Sequence, residues 1–352
     1  MNLRILLVLL SCAISVVTGL VLARGGSSGD DSGMRKRPLI GLSMDTLKEE
    51  RWMVDRDLFT ARAGNLGADV MVLAANSIDS QQVSDVQSMI TAKVDALVII
   101  PHDGAAMAKG VELAREAGIP VISYDRLITG CDLDIYLTFD NVKVGELQAK
   151  FIADRLPPSG KIRLVRIYGS TTDNNARLFK QGQDNVLNPL IAAGRIEVVH
   201  EDWAADWKPE NAKKIASAAI TKVQHNFDAI LASNDGTAGG AIQALTEEGL
   251  AGKIIVTGQD ADLAACQRIV SGTQTMTVYK PIKNLANAAA ELAVKLATGK
   301  PVIAQASIDN GFKQVPSVLL EILAVTRDNI RDTVVRDGFR PETEVFRVAE
   351  KN

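Results

Sequence analysis

Val94-Asp95-Ala96-Leu97-Val98-Ile99-Ile100, followed directly by Pro101-His102-Asp103, is an aliphatic and β-branched run that stops at a polar turn. It is too short for an ordinary helix and lacks the alternation of a strand with one wet face, so it reads as a strand buried on both sides, as in a parallel sheet. Runs of the same kind occupy 39–43, 70–73, 121–123 and 135–138. Helices are predicted between them near 51–66, 80–92 and 105–117, the first and last closed by Gly67 and Gly118. A spacing of about 25 to 30 residues is the mark of βα units around one sheet.

The pattern then starts again. Strand-like runs at 162–167, 196–199, 229–232, 254–257 and 276–278 alternate with helical stretches at 174–193, 209–223, 237–248 and 262–270. Phe227-Asp228-Ala229-Ile230-Leu231-Ala232 echoes the opening run, and Gly252-Lys253-Ile254-Ile255-Val256 echoes Gly118-Ile119-Pro120-Val121-Ile122. The fold class is therefore α/β, with two similar three-layer lobes on parallel sheets. A helix at 282–297 without a strand of its own suggests that the chain crosses back to the first lobe, passes the loop 307–311, and returns through the run 318–325. The expected division is 38–140 with 281–309 for the first lobe, 141–280 with 310–340 for the second, and 341–352 as a tail. Several crossings make a multi-strand hinge, which permits bending without separation.

A chain of 352 residues, 47% hydrophobic and 23% charged, suits two such lobes and excludes disordered, collagen-like and disulfide-dense classes. The formal charge of −3, without a basic run, shows no footprint for nucleic acid. Residues 5–23 carry no charge, follow Arg4 and precede a Gly/Ser linker, which reads as an export signal at 1–23 and a linker at 24–37. A retained anchor and a lipidated Cys12 are the alternatives. Removing the five basic and two acidic residues of 1–37 takes the charge from −3 to −6. Cys131 and Cys266 stand alone, and His102, His200 and His225 are scattered, so neither a metal site nor a cofactor is expected. Gly236–Gly240 lacks the lysine of a phosphate loop and reads as a close helix–strand approach.

Ligands of open parallel sheets bind beyond the carboxyl ends of the strands. Those ends carry Met44-Asp45, Ala75-Asn76, Pro101-His102-Asp103, Tyr124-Asp125-Arg126, Asp140-Asn141, 170–175, Glu201-Asp202-Trp203, Ser233-Asn234-Asp235, Gly258-Gln259-Asp260 and Tyr279-Lys280. Any one Asp or Asn there is more often a turn former or helix cap, and a loop Trp is usually packing. Their joint occurrence in both halves shifts the balance. Planar donors and acceptors beside Trp52 and Trp203, with Trp207 close by, suit a sugar ring whose hydroxyls both give and accept. Asp125 next to a cation and Asp260 next to an amide stay ionised, so a general acid is missing and catalysis is not expected.

The strings Glu50-Arg51-Trp52, Tyr124-Asp125-Arg126, 139–150, Asp173-Asn174-Asn175-Ala176, Ala232-Ser233-Asn234-Asp235, 258–263 and 273–281 resemble the D-xylose-binding periplasmic proteins of bacterial ABC importers, from about Pro38 to Gly338. That resemblance implies the type I periplasmic binding protein fold, closure on one monosaccharide, and delivery to a membrane ABC permease, with a monomer expected. It implies ligand-binding roles for Arg51, Trp52, Asp125 and Arg126 in the first lobe, and for Asp173, Asn175, Trp203, Asn234, Asp260 and Lys280 in the second lobe and hinge. Gly169-Ser170-Thr171-Thr172 and Pro101-His102-Asp103 depart from the family's usual pattern. A binder of several sugars serving a chemoreceptor or sensor kinase, a sugar-responsive repressor and a sugar-processing enzyme remain as rivals. The repressor would need an N-terminal DNA-binding helix pair where this chain has an apolar segment and linker.

Overall fold

The computed structural model describes residues 37–347. The expected signal, the Cys12 alternative, the linker up to residue 36 and the last five residues lie outside them. The first lobe begins with β1 (Leu39–Met44), α1 (Glu50–Asn65), β2 (Asp69–Ala74), α2 (Asp79–Thr91), β3 (Ala96–Ile99), α3 (Ala108–Glu116), β4 (Val121–Tyr124) and β5 (Ile135–Phe139). These strands are parallel in the order β2-β1-β3-β4-β5. The opening run is the central strand: Leu97 and Ile99 pack with Val86, Met89 and Val111 on one face, while Val98 joins Ile40, Leu42 and Phe59 on the other. Two apolar faces require helices on both sides, which is why the strand shows no alternation.

The second lobe repeats that winding with α4 (Asn141–Ala153), β6 (Ile162–Tyr168), α5 (Asn174–Ala192), β7 (Ile196–Trp203), α6 (Pro209–Val223), β8 (Ala229–Ala232), α7 (Asp235–Glu247), β9 (Ile255–Val256), α8 (Leu263–Ser271) and β10 (Thr277–Tyr279). Its parallel order is β7-β6-β8-β9, and a Gln259–Val278 bridge carries it on to β10. The strand order reverses at β1 in one lobe and at β6 in the other, and this switch point opens the crevice beyond the strand ends.

Three expectations need correction. Residues 141–153 form a full helix, α4, capped by the Asp140 side chain accepting from the Lys143 N–H at 2.9 Å. It lies so close to α5 that a Cβ on Gly145 would meet the Phe179 carbonyl oxygen at 2.0 Å. Its buried Gly and Gln blunt the apolar period that would have marked it. The first lobe also extends further than 309. After α9 (Ile282–Ala297), which covers α1, come β11 (Ala306–Asp309) and β12 (Gln314–Leu320). They form an antiparallel hairpin around Asn310-Gly311, where Gly311 has φ 85°, and β12 pairs in parallel with β5, Ser317 opposite Tyr136. The run at 318–325 is therefore two strands, split where Glu321 and Ile322 pass between lobes; β13 (Leu323–Val325) pairs with β10. Finally, Gly240 serves a helix–helix approach, its missing Cβ lying 2.0 Å from the Pro209 carbonyl oxygen at the start of α6. Cys131 and Cys266 are buried free thiols. No helix among the described residues is long and apolar enough to cross a membrane.

Candidate functional site

Between the lobes, at the carboxyl ends of both sheets, lies a cleft of about 350 Å³ including its mouth. Arg51 is its centre. Its side chain rises from the first turn of α1, 4% exposed, and spreads over three carboxylates: Nε donates to Asp55 Oδ2 at 3.2 Å, Nη2 to Asp125 Oδ2 at 2.9 Å and Nη1 to Asp260 Oδ1 at 3.2 Å. The last of these spans the lobes. Arg126 is built the same way, with Nη1 donating to Asp45 Oδ2 at 2.7 Å in its own lobe and Nε 3.0 Å from Asp173 Oδ2 of the other. Trp52 packs beside both, its ring centroid 4.2 Å from the Arg51 guanidinium carbon and 5.2 Å from that of Arg126. Lys280, 2% exposed at the hinge, places Nζ 3.3 Å from Asp260 and 3.8 Å from Asp125.

Local folding fixes each carboxylate. Asp125 sits at φ 60°, a left-handed turn held by its carbonyl oxygen accepting from Tyr136, Thr138 and the Asn175 amide. Burial pushes its carboxyl up, but Arg51, Lys280 and Arg126 outweigh burial and hold it at about 2. Asp173 caps α5, accepting from the Asn175 N–H at 2.9 Å and from the Trp207 indole N–H at 3.1 Å. Burial raises its carboxyl against the pull of Arg126. Asn234 caps α7 in a reciprocal box with Thr237. Behind Arg51, burial drives Asp55 up to about 6, opposed by Arg51 and by the Tyr124 hydroxyl that donates to it.

Three cations and a larger set of carboxylates already neutralise one another here. An anionic ligand would face Asp125, Asp173 and Asp260; a cationic one would face both guanidiniums. A neutral polyol can slip its hydroxyls into existing donor–acceptor pairs, giving to a carboxylate and accepting from a guanidinium. No cluster suited to a metal ion occurs among the described residues. Asp125, fully ionised at neutral pH, has no proton to give as a general acid.

Residues 40–301 match the family model of the periplasmic binding protein domain. The chain belongs to the periplasmic binding protein family. It is 51% identical to a D-xylose-binding periplasmic protein of Haemophilus influenzae, over 87% of this chain and 92% of that one. It is 50% identical to a D-xylose-binding periplasmic protein of Escherichia coli, over 88% and 93%. A carbohydrate transporter solute binding protein from Chloroflexus aurantiacus, solved in complex with D-glucose, superposes with a TM-score of 0.82 at 32% identity, covering 87% of this chain and 97% of that one. These are binding proteins of sugar transport, not enzymes.

In this binding protein the cleft gathers nine of the ten residues singled out from the sequence: Arg51, Trp52, Asp125, Arg126, Asp173, Asn175, Asn234, Asp260 and Lys280 all line it. Trp203 does not. It ends β7 half-buried, its ring 4.7 Å from that of Tyr168, and Trp207 takes the place beside the cleft. The reason is the short turn after β7, where Asp206 and Trp207 both have positive φ and swing the second indole inward. Gly169 makes room for it, since a Cβ there would meet the Trp207 ring at 2.0 Å. Glu49, Phe179 and Gln259 also line the cleft. Gln259 was visible among the strand-end polar clusters, whereas Phe179 lies on a buried helix face and carries no sequence signal.

Proposed function

We propose that this protein captures one neutral monosaccharide, D-xylose, between its lobes and hands it to a membrane ABC permease from the periplasm, as a monomer. The observation that carries this reading is the pairing of each cleft guanidinium with carboxylates of both lobes, in a cleft that Trp52 and Trp207 also line, at half-identity to D-xylose-binding relatives. Ring hydroxyls would bridge those pairs, so sugar joins the lobes and shifts the population toward closure. Trp52 and Trp207 would cover the apolar C–H side of the ring. The ten residues read from the sequence, less Trp203 and with Trp207 and Gln259 added, form the proposed ligand set.

A thermal-shift panel of pentoses and hexoses, followed by calorimetry, tests it. D-xylose should give the largest shift and return chemically unchanged. The D-glucose-bound neighbour makes D-glucose the sharpest competitor. Equal response to several sugars would favour the multi-sugar receptor reading, and no response to any monosaccharide would overturn the proposal.

A further inference from the structure

Outside the cleft, His102 stands where the lobes meet. It follows β3, its backbone N–H donating to the buried Gln82 side chain at 2.9 Å. Ring Nδ1 lies 2.8 Å from Asp79 Oδ1 on α2, and a carboxylate can only accept, so Nδ1 carries a proton. In the neutral ring, Nε2 is then a bare lone pair. It is buried without a hydrogen-bond partner, and it points across the gap to Asp206 Oδ1 of the second lobe, 3.7 Å away. Two acceptors face each other there. Protonation of the imidazole turns that pair into an N–H donor and a carboxylate.

The rest of the junction is organised around Asp206. Its left-handed backbone, φ 54°, presents the carbonyl oxygen to Lys48 Nζ of the first lobe at 3.0 Å, while Lys208 Nζ sits 2.8 Å from its Oδ2. The hydrogen bond from Lys208 and the charge of that ammonium hold this carboxyl below the usual range against partial burial. Around the small cavity beside the ring stand Asp45, Glu49, Asp173 and Arg126; Asp79 and Lys48 complete the charged neighbours from the first lobe. Asp79 and Asp206 thus stand opposite the two ring nitrogens, one from each lobe.

We propose that His102 and Asp206 form an interlobe latch outside the sugar cleft, positioning residues that favour closure when the imidazole is protonated. The latch deepens the sugar-binding reading and rests on closure being the binding-competent state. A closed state that takes up a proton binds sugar more tightly at low pH, and this gain fades as pH rises through the imidazole titration. The latch touches no sugar, so it scales the affinity of every sugar by the same factor.

Calorimetric affinities of wild type, His102→Gln and Asp206→Asn for each sugar that binds, from pH 5.5 to 8.5, test this. Asp55 also titrates in this range, so the ratio of variant to wild-type Kd is the readout. For both variants that ratio should rise from about 1 at pH 8.5 to about 10 at pH 5.5, the worth of one charge-assisted hydrogen bond. A pH-independent ratio, or a factor that differs between sugars, overturns the latch. Small-angle scattering of the sugar-free proteins gives a second readout that needs no ligand: wild type should be more compact at pH 5.5 than at 8.5, and His102→Gln equally compact at both. If no sugar binds, the functional reading fails while scattering still decides the latch.

Discussion

The first lobe brings both guanidiniums to the cleft, and each is held by a carboxylate of its own lobe, Asp55 and Asp125 for Arg51 and Asp45 for Arg126. The second lobe brings no guanidinium, and its one lining cation, Lys280, stands at the hinge; it supplies Asp260 to Arg51 and Asp173 to Arg126, together with the amides Asn175, Asn234 and Gln259. Two lobes with one winding thus differ in polarity, a donor platform against an acceptor cover. Closing them makes ion pairs even without sugar, so a ligand competes by inserting into bonds rather than by meeting bare charge.

The strongest way to break this asymmetry is to remove a donor. Arg126→Ala leaves Asp45 and Asp173 facing each other, and an uncompensated buried charge costs about 3–5 kcal/mol. Sugar binding measured by calorimetry should be lost while circular dichroism shows the fold retained. Asp260→Ala, removing an acceptor, should lose binding too; retained affinity in both variants would sink the site. Next comes the indole pair. Trp207→Ala should weaken sugar binding about tenfold to a hundredfold, the worth of a stacked ring face in a cleft, and Gly169→Ala should do much of the same by displacing that ring. Trp203→Ala should leave affinity within about twofold and lower stability by about 1 kcal/mol through the lost Tyr168 contact. If Trp203 proves the costlier, the assignment of the two tryptophans is reversed.

The smallest effect concerns support behind the donor platform. Burial raises Asp55 to about 6. A carboxyl raised on folding stabilises the folded state at pH below its unfolded value, and that contribution is lost as pH rises through about 6. Wild type should therefore lose about 2 kcal/mol relative to Asp55→Asn between pH 4 and 7, measured by denaturant titration. An unchanged difference across that interval would place Asp55 in an ordinary, unstrained ion pair.

Much of this was legible in the sequence because parallel sheets buried on both faces leave continuous apolar runs, and because their ends expose the ligand-facing turns. Val94–Ile100 gave the central strand, and Asp125, Asp260 and Asn234 were found where strands stop. What escaped depended on contacts between distant segments. Helix α4 hides its period behind Gly145 and Gln148, which pack against backbone rather than apolar surface. The hairpin β11–β12 belongs to the first lobe only because β5 offers it a free edge. Trp207 replaced Trp203 because of two left-handed residues in a turn, a backbone choice that residue identity does not announce. His102 was one of three scattered histidines until the fold set Asp206 of the other lobe opposite it.

The late return of α9 and β12 to the first lobe has a consequence for how the chain acquires its structure. Residues 141–280 can close most of their lobe from contiguous sequence, whereas α1 stays uncovered and β5 unpaired on one edge until residues near 320 are present. Contacts across so long a stretch are slow to form. Pulse-labelled hydrogen exchange during refolding should therefore protect β6 and β8 before β5, so that the half carrying the guanidiniums matures last and the protein remains unable to hold sugar until its final strands are placed.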